Sequence, residues 1–326
     1  MKYKYNPDVK LPENVNISQD NLKGFYTFIY KRHMAWHNRF VLKLPREQWT
    51  DDPILIRSKY TNVYRELDRG TIWIFNQLSD YNTRILDYSF ILDCVWKLCV
   101  YRLLNKVETF ERIGLIGYKE FEDGKEDWFN HIHTLLDEGF KVWTSAHITL
   151  QSNLKQDRIT NYKFILNSLY GDDFKASVYA VSGNIDQEEA FKLFKKCYGI
   201  GPFTAYELAS DLGHFDWTKF NNNEWANAGP GCIPGIKLIF PNNTSQEDYL
   251  KSMILLRDNQ EKAFNKYDLD FKSIRYDDKW LDLRNIEHSL CEFRKYWCEE
   301  NKVGRIRPMF NPISDETLYD RLEISK

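Results

Sequence analysis

The densest group of reactive side chains lies near the C-terminus, in the segment WLDLRNIEHSLCEFRKYW (280–297). At helical spacing His288 and Glu292 stand four residues apart on one face, and Tyr296 continues that face. Glu287 belongs to the neighbouring stripe. A carboxylate can orient an imidazole for proton transfer, and a buried glutamate can act as a general acid or base. Catalytic roles are therefore predicted for Glu292, His288 and Glu287, with a solvated charged face as the alternative.

A second polar cluster occupies KYTNVYRELDR (59–69). On a helix, Asn62, Arg65 and Arg69 would share a face, with Asp68 beside Arg69. Arginine binds phosphate oxygens in a bidentate fashion, so Arg65 and Arg69 are predicted to bind substrate. Asn62 and Asp68 complete the predicted catalytic set, Asp68 by holding an arginine or contacting an amino group. An ion-pair network between helices is the alternative.

A glycine turn is the clearest motif of the chain and lies in KLFKKCYGIGPFTAYELASDLG (192–213). One helix is predicted over 187–196 and a second over 204–212, with an ordinary helix turn as the alternative to a DNA-binding hairpin. Glycine tolerates positive φ, so the Gly-Ile-Gly sequence permits a tight turn whose aliphatic residue packs between the helices. Unpaired amides at the start of the second helix then offer a phosphate site. The predicted DNA-binding residues of this helix-hairpin-helix are Gly199, Ile200, Gly201, Thr204, Lys195 and Lys196.

A second glycine turn occurs in WANAGPGCIPGIKLIF (225–240). A rigid turn of this composition brings backbone amides close to a neighbouring group, because glycine has no side chain. Gly229, Gly231 and Asn227 are therefore predicted to bind the base or sugar of a substrate. A loop that terminates a helix is the alternative.

The elements that position these residues are predicted to be helices, so the fold class is mainly α. Apolar residues recur at helical spacing over about 22–42, 89–104 and 128–138. The TDDP sequence (50–53) supplies an N-cap followed by a proline at a first helical position. The predicted organisation is an irregular lead-in (1–20) and a single helical body (21–326), with an N-terminal half (about 21–175) and a hairpin-containing half (about 176–326).

Composition narrows the classes of function. The 45 basic and 47 acidic side chains leave a net charge of −2, so DNA contact would require a local basic patch or backbone amides. Six cysteines lack zinc or iron–sulfur spacing, so neither a metal nor another cofactor is predicted. The sequence has no signal peptide and no membrane-spanning apolar run, which predicts a cytoplasmic location. Aromatic residues make up 16% and are predicted to fill the core, with base stacking as a further use.

Four blocks of the sequence, taken in order, resemble a known family: PREQWTDDPIL–KYTNVYRELDR, GIGPFTAYELASDL, AGPG and NIEHSLCEFRKYW. The resemblance is to the α-glutamyl/putrescinyl thymine pyrophosphorylase family and to the helical domain attached to 5-hydroxymethyluracil DNA kinases, over about residues 22–310. It implies a two-lobed, DNA-glycosylase-like helix-hairpin-helix fold that acts on hypermodified pyrimidines in phage DNA. The resemblance includes relatives that replace a phosphorylated 5-hydroxymethyl group with an amine. Others resemble bacterial defence glycosylases that excise glucosylated bases.

The resemblance implies a DNA glycosylase that flips a hypermodified pyrimidine, such as a glucosylated hydroxymethyl base, out of phage DNA and cleaves its N-glycosidic bond in anti-phage defence. The expected partner is duplex DNA that carries modified pyrimidines, with no membrane association. Helix-hairpin-helix glycosylases carry a catalytic aspartate after the hairpin, whereas Asp216 lies earlier than that pattern. Two alternatives are amine transfer onto a 5-hydroxymethyluracil-derived base and a non-catalytic module that binds modified DNA. Kinase chemistry would need the P-loop motif G-x-x-x-x-G-K-[ST], which the sequence lacks.

Overall fold

A computed structural model describes residues 16–82, 87–144 and 157–304. Within these ranges every regular element is a helix, which confirms the mainly α fold class. The α-helices are α1 (Gln19–Phe40), α2 (Pro53–Arg57), α3 (Arg69–Gln77), α4 (Tyr88–Leu104), α5 (Val107–Ile113), α6 (Tyr118–Asp137), α7 (Arg158–Leu169), α8 (Asp172–Val181), α9 (Gln187–Phe194), α10 (Pro202–Leu212), α11 (Cys232–Ile239), α12 (Gln246–Asp258), α13 (Gln260–Lys266) and α14 (Leu283–Glu300). Short 3₁₀ helices span Arg46–Gln48, Arg65–Leu67, Ser79–Asn82, Lys272–Ile274 and Tyr276–Asp278. None of the helices in the described ranges is long and apolar enough to cross a bilayer.

The chain divides into two compact units. The first combines the described residues up to Asp68 with those from Asn222 onward, and it contains α1, α2 and α11 to α14. The second comprises Arg69–Asn221 and contains α3 to α10. These units do not coincide with the predicted halves (about 21–175 and about 176–326), because helices from both ends of the chain share the first unit. The single helical body stays a prediction.

The first unit has an aromatic core between α1 and α14. Phe25 and Phe28 of α1 are buried, and the Phe293 ring of α14 lies 5.6 Å and 6.1 Å from their ring centroids. Aromatic contacts of this kind contribute about 0.5–1.5 kcal/mol each beyond the burial of apolar area. His33 is also buried in α1, and burial lowers its pKa to about 3 while its Nε2 donates to the Ile274 carbonyl at 2.7 Å. Aromatic rings therefore hold α1 against α14, and a neutral imidazole holds it against the 3₁₀ helix Lys272–Ile274.

The second unit is built around α4, which is buried over most of its length. Trp96 packs edge-on against Tyr118 and Phe121 of α6, at centroid distances of 5.4 Å and 4.9 Å. Further along α4, Arg102 pairs with Asp211 of α10 through two buried bonds of 2.6 Å and 2.8 Å. Removing one partner of such a pair costs about 3–5 kcal/mol, because the remaining charge is left uncompensated. This ion pair anchors the helix that follows the glycine turn.

The segment 59–69 differs from the helix predicted for it. A 3₁₀ turn covers only Arg65–Leu67, and α3 begins at Arg69. Between them the Asp68 backbone is extended (ψ 132°), and the Asp68 carboxylate accepts a hydrogen bond from the Asn62 amide at 3.0 Å. A side-chain bond of this kind competes with helical backbone bonding. The prediction that one helix face carries Asn62 and the two arginines is therefore wrong.

Other local predictions agree with the structure. The TDDP sequence caps α2 as predicted, because the Asp52 carboxylate accepts from the Ile54 amide at 2.9 Å and Pro53 takes the first helical position. The apolar periodicity over about 22–42 corresponds to α1, and that over about 89–104 corresponds to α4. The helix predicted over 128–138 is longer and begins at Tyr118, since polar residues on its exposed face continue the helical spacing upstream.

Candidate functional site

α14 carries the predicted catalytic residues and is a helix as predicted. Near its middle, His288 Nε2 forms a hydrogen bond with the Thr61 hydroxyl in the loop before α3. One turn earlier, Asn285 Oδ1 accepts from the Arg65 amide at 2.9 Å. Two turns after His288, the Tyr296 hydroxyl donates to the carboxylate that caps α2, at 2.7 Å. These bonds attach the chain before α3 along one side of α14, with His288 among them.

Glu292 lies one turn beyond His288 and is only 3% exposed. Its Oε1 accepts a hydrogen bond from Lys295 Nζ at 2.6 Å, and the Lys295 side chain is itself partly exposed. A buried carboxylate keeps its charge only when it is paired, because desolvation penalises the ion. Lys295 supplies such a partner. Glu292 is thus a carboxylate in low-dielectric surroundings, one turn from an imidazole.

Glu287 lies on a different side of α14, where α11 packs. It is 8% exposed, and its carboxylate lies beside the Cys232 thiol. Burial, together with Glu287 and Cys291, raises the pKa of Cys232 well above its ordinary value. A thiol that keeps its proton is a poor nucleophile. Glu287 and His288 therefore face different neighbours, and the structure does not unite them in one cluster.

The second glycine turn leads into α11 and allows α11 to pack closely on α14. A Cβ on Gly231 would lie 2.6 Å from Cys291 Sγ, and a Cβ on Gly235 would lie 2.2 Å from a backbone carbonyl of α14. These two positions require glycine because the helices meet there. Gly229 has open space where a Cβ would stand, and Asn227 is half-buried. Substrate binding by Gly229, Gly231 and Asn227 stays a prediction.

The loop from Asn62 to Asp68 is bonded to itself and to α1. Asp68 forms an ion pair with Arg65, and Asn62 Nδ2 donates to the Leu67 carbonyl at 2.7 Å. Arg32 of α1 donates to Asn62 Oδ1 at 3.0 Å and to two backbone carbonyls of the same loop at 2.9 Å and 3.1 Å. Arg32 is a positioning residue that sequence reasoning missed. The only sign of this role in the sequence is that Arg32 is a basic residue within an otherwise apolar stripe of α1.

Arg69 lies in the second unit, where it pairs with Glu108 of α5 at 2.6 Å. Arg65 and Asp68 belong to the first unit. The predicted patch therefore falls on both sides of the boundary between the units. Each arginine has a carboxylate partner within its own unit.

Further ionisable groups in the first unit were not singled out by the sequence. Asp282 caps α14 by accepting from the Asn285 amide at 2.7 Å. Burial and then the Glu66 carboxylate raise the pKa of Asp282 to about 7, against the lowering effect of that amide and of nearby arginines. Arg257 and Asp258 form a buried pair at 2.7 Å. In a sequence, adjacent residues of opposite charge such as Arg257 and Asp258 look like ordinary surface residues, so no sequence pattern offered a reason to select this pair.

The glycine turn in the second unit joins α9 to α10. Gly199 has a φ of +77°, in the left-handed region, whereas Gly201 has a φ of −75° and is the N-cap of α10. The expectation that both glycines serve the turn by positive φ holds for Gly199 alone. Ile200 is buried, as expected for an aliphatic residue that packs between the two helices. The geometry is that of two helices joined by a tight turn, and its binding of DNA stays a prediction.

Two exposed lysines directly precede this turn. Lys195 and Lys196 follow the last turn of α9, and within the described part of the chain neither forms an ion pair with a carboxylate. Lys192, by contrast, pairs with Glu188 at 2.7 Å. Thr204 is buried, and its predicted DNA contact stays a prediction. The local positive charge that the sequence required for DNA contact is thus present beside the turn.

A cavity of about 140 Å³ in the first unit lies apart from the predicted site. Its lining includes Tyr26, Leu256, Lys262 and Tyr267, and no predicted site residue. Among the residues that the structure describes, no group of three His, Cys, Asp or Glu side chains is placed to hold a metal. The catalytic roles of the residues on the α14 face stay predictions.

The comparisons with known proteins identify the family. Residues 19–303 match the family model described as the helical domain of 5-hmdU DNA kinase. The chain belongs to this family. Over 322 residues it is 27% identical to the 5-hmdU DNA kinase of Bacillus phage SP10, which covers 91% of this chain and 48% of that protein. The chain thus spans about half the length of this curated relative, and no solved structure matches it.

The resemblance drawn from the sequence to the helical domain of these kinases is confirmed. The four sequence blocks that carried the resemblance lie in different elements of the structure. They form the loop before α3, the turn and α10, the approach to α11, and most of α14. These are the same places where the polar contacts and close glycine packing occur.

Proposed function

We propose that this chain acts on modified pyrimidine bases within DNA, and that its reaction is hydrolysis of the N-glycosidic bond. Membership of the 5-hmdU DNA kinase helical-domain family supports the substrate class, because 5-hmdU is a modified pyrimidine nucleoside. The observation that carries the reaction type is Glu292, buried on α14 one turn from His288. Both side chains can move or stabilise charge without a cofactor.

The reaction requires the target base to leave the helical stack, which costs a few kcal/mol and is least costly for an altered base. Cleavage then develops positive charge on the sugar, as in other glycoside hydrolyses. The Glu292 carboxylate would stabilise that charge or take a proton from water. His288, held by Thr61, would carry the second proton transfer. Lys295 is an ion-pair partner of Glu292, and the developing charge on the sugar would compete with it for the carboxylate.

Transfer of an amine onto the 5-methylene carbon is the second candidate, and the name of the relative favours it, because a kinase is also a group-transfer enzyme. A phosphate leaving group would need an arginine. Arg65 is paired with Asp68, and Arg69 is paired with Glu108 in the other unit. Hydrolysis needs no phosphate-binding arginine, so we place it first.

One assay separates these reactions. The chain is incubated with DNA that contains glucosylated hydroxymethyl pyrimidines, with DNA that contains 5-hydroxymethyluracil, and with unmodified DNA of the same sequence, followed by alkali. Hydrolysis predicts strand breaks in modified DNA alone. Intact strands with an altered nucleoside mass in the presence of an amine would replace hydrolysis with transfer. DNA that is bound but chemically unaltered would show that the chain is a non-catalytic binding module.

A further inference from the structure

An exposed pair of aromatic rings lies beside the glycine turn. Tyr198, in the turn, is 51% exposed, and Phe164 of α7 is 49% exposed. Their ring centroids are 5.1 Å apart and the rings are nearly perpendicular, at 78°. Large aromatic side chains are normally buried, so half-exposed rings in contact form a surface feature that folding alone does not explain.

The turn and α7 hold this aromatic pair in place. A Cβ on Gly199 would lie 2.5 Å from the Ile165 side chain, which shows that the backbone of the turn packs directly on α7. Ile165 is the neighbour of Phe164, and Gly199 is the neighbour of Tyr198. Because each contact residue adjoins one of the rings, the pair is preorganised and loses little freedom when a ligand binds.

The residues around the aromatic pair indicate which kind of ligand it would bind. In the described part of the second unit, the exposed large hydrophobic residues are all aromatic: Phe90, Phe164, Tyr179, Tyr198 and Phe203. Lys195 and Lys196 stand next to Tyr198 in the chain and are exposed. Lysine is depleted in protein–protein interfaces. Aromatic rings beside lysines are instead typical of surfaces that bind single-stranded nucleic acid, where bases stack and phosphates meet cations.

We propose that Tyr198 and Phe164 form a platform on which unpaired bases of a DNA strand stack, while Lys195 and Lys196 contact the phosphates of that strand. This inference rests on the proposed function only in taking DNA as the partner. The occupant is a single strand or a locally unpaired stretch, because base faces are covered by their neighbours in an intact duplex. The chain would therefore prefer single-stranded over duplex DNA at this surface.

The test measures binding of the full chain to unmodified DNA by fluorescence anisotropy, with a labelled thymidine oligonucleotide and a labelled duplex at equal salt. Tyr198→Ala and Phe164→Ala should each weaken single-strand binding about 5- to 100-fold, as expected for loss of one stacking contact. Duplex binding should change less than about twofold, because phosphate contacts remain. Tyr198→Phe should bind like the parent chain, since it keeps the ring.

Tyr179→Ala is the matched control, because Tyr179 is also exposed in the second unit and contacts another ring, that of Tyr88. It should leave both affinities unchanged. Equal losses on single strands and duplex, or no loss in either alanine variant, would overturn the platform. Thermal unfolding of each variant shows whether it is folded. The assay involves no turnover, so failure of the chain to alter modified DNA would reject the proposed function and leave this result standing.

Discussion

Among individual residues, the carboxylates of the first unit owe their properties to different surroundings. Glu292 is buried beside the Lys295 ammonium. Burial and then the nearby Glu66 carboxylate raise the pKa of Asp282 to about 7, although a backbone amide donates to it. A carboxylate with a cation can remain charged during a reaction, whereas one beside another carboxylate tends to keep its proton. The proposed chemistry uses the charge of Glu292, whereas the raised pKa of Asp282 makes ionisation of that group cost stability.

Glu292→Gln keeps the size of the side chain and removes its charge. We expect turnover on modified DNA to fall about 10²- to 10⁴-fold, the usual contribution of general acid–base catalysis, with DNA affinity unchanged. His288→Ala should behave in the same way. The measurements are the rate at which alkali-labile sites appear and the anisotropy of bound DNA.

Glu299→Gln is the control for that loss. The Glu299 side chain on α14 is 4% exposed and pairs with Arg57 at 3.3 Å, so this variant also removes a largely buried charge from an ion pair. Its turnover should remain near that of the parent chain. Equal turnover in the Glu292 and Glu299 variants would leave α14 with a structural role only.

Asp282→Asn should change the pH dependence of stability. The raised pKa means that the folded chain holds this proton more tightly than the unfolded chain. The carboxyl therefore stabilises the fold fully below about pH 4, and this contribution is lost as the pH rises through about 7. Asparagine is an equally good N-cap and carries no charge. We expect the variant to be more stable than the parent by about 1–3 kcal/mol at pH 8, with no difference near pH 4.

Urea unfolding of both proteins across this pH range provides the measurement. The difference between the two midpoints is informative, because other titrating groups affect both proteins equally. A difference that is the same at every pH would show that Asp282 has an ordinary pKa.

At the scale of elements, the two glycines of the turn have different tasks. Gly199 adopts a φ of +77° and its backbone packs on the Ile165 side chain, whereas Gly201 has an ordinary φ and open space where a Cβ would stand. The turn therefore depends on the first glycine for its fold. The second glycine leaves the start of α10 accessible, as a phosphate site would require.

Gly199→Ala should lower the free energy of unfolding by about 1–3 kcal/mol, because alanine disfavours the left-handed region and its Cβ would meet Ile165. Gly201→Ala should lower it less, by about 0.5–1 kcal/mol, because alanine is the poorer N-cap but meets an ordinary φ and open space for its Cβ. Gly201→Trp should leave the fold intact and weaken binding of modified and unmodified DNA alike. Urea midpoints and anisotropy measure both effects, and equal stability of the two alanine variants would contradict the assignment.

For the whole molecule, net charge bears on how strongly the proposed DNA binding depends on salt. The net charge of −2 provides no general attraction for phosphate, so binding must depend on local cations such as Lys195 and Lys196. The logarithm of the DNA affinity should fall only gently with the logarithm of the salt concentration. This behaviour differs from that of a basic DNA-coating protein, whose many phosphate contacts make binding steeply dependent on salt.

Replacing both lysines by alanine should lower the salt slope for duplex DNA by about 1.8, since each phosphate contact contributes about 0.9. The measurement is a series of binding curves at increasing salt. Lys192→Ala is the control, because Lys192 is paired with Glu188. A slope that stays the same in the double variant would place the phosphate contacts elsewhere.

The amino-acid sequence by itself determined the helices, the cap of α2, the glycine turn and the helical face of α14. These features depend on residues within a few positions of one another, so periodicity and capping patterns reveal them. The family followed from four such local blocks, and the match over residues 19–303 confirms it. The catalytic and DNA-binding roles of the residues on these elements stay predictions.

Only the tertiary structure decided which distant residues meet. Arg32 bonds to the loop at Asn62, and Gly235 lies against the backbone of α14, far along the chain in both cases. The same holds for the 59–69 segment, where a bond between Asp68 and Asn62 prevents the helix that its spacing predicted. The physical reason is that burial and pairing depend on which surfaces the folded chain brings together, and helical periodicity carries no information on that choice.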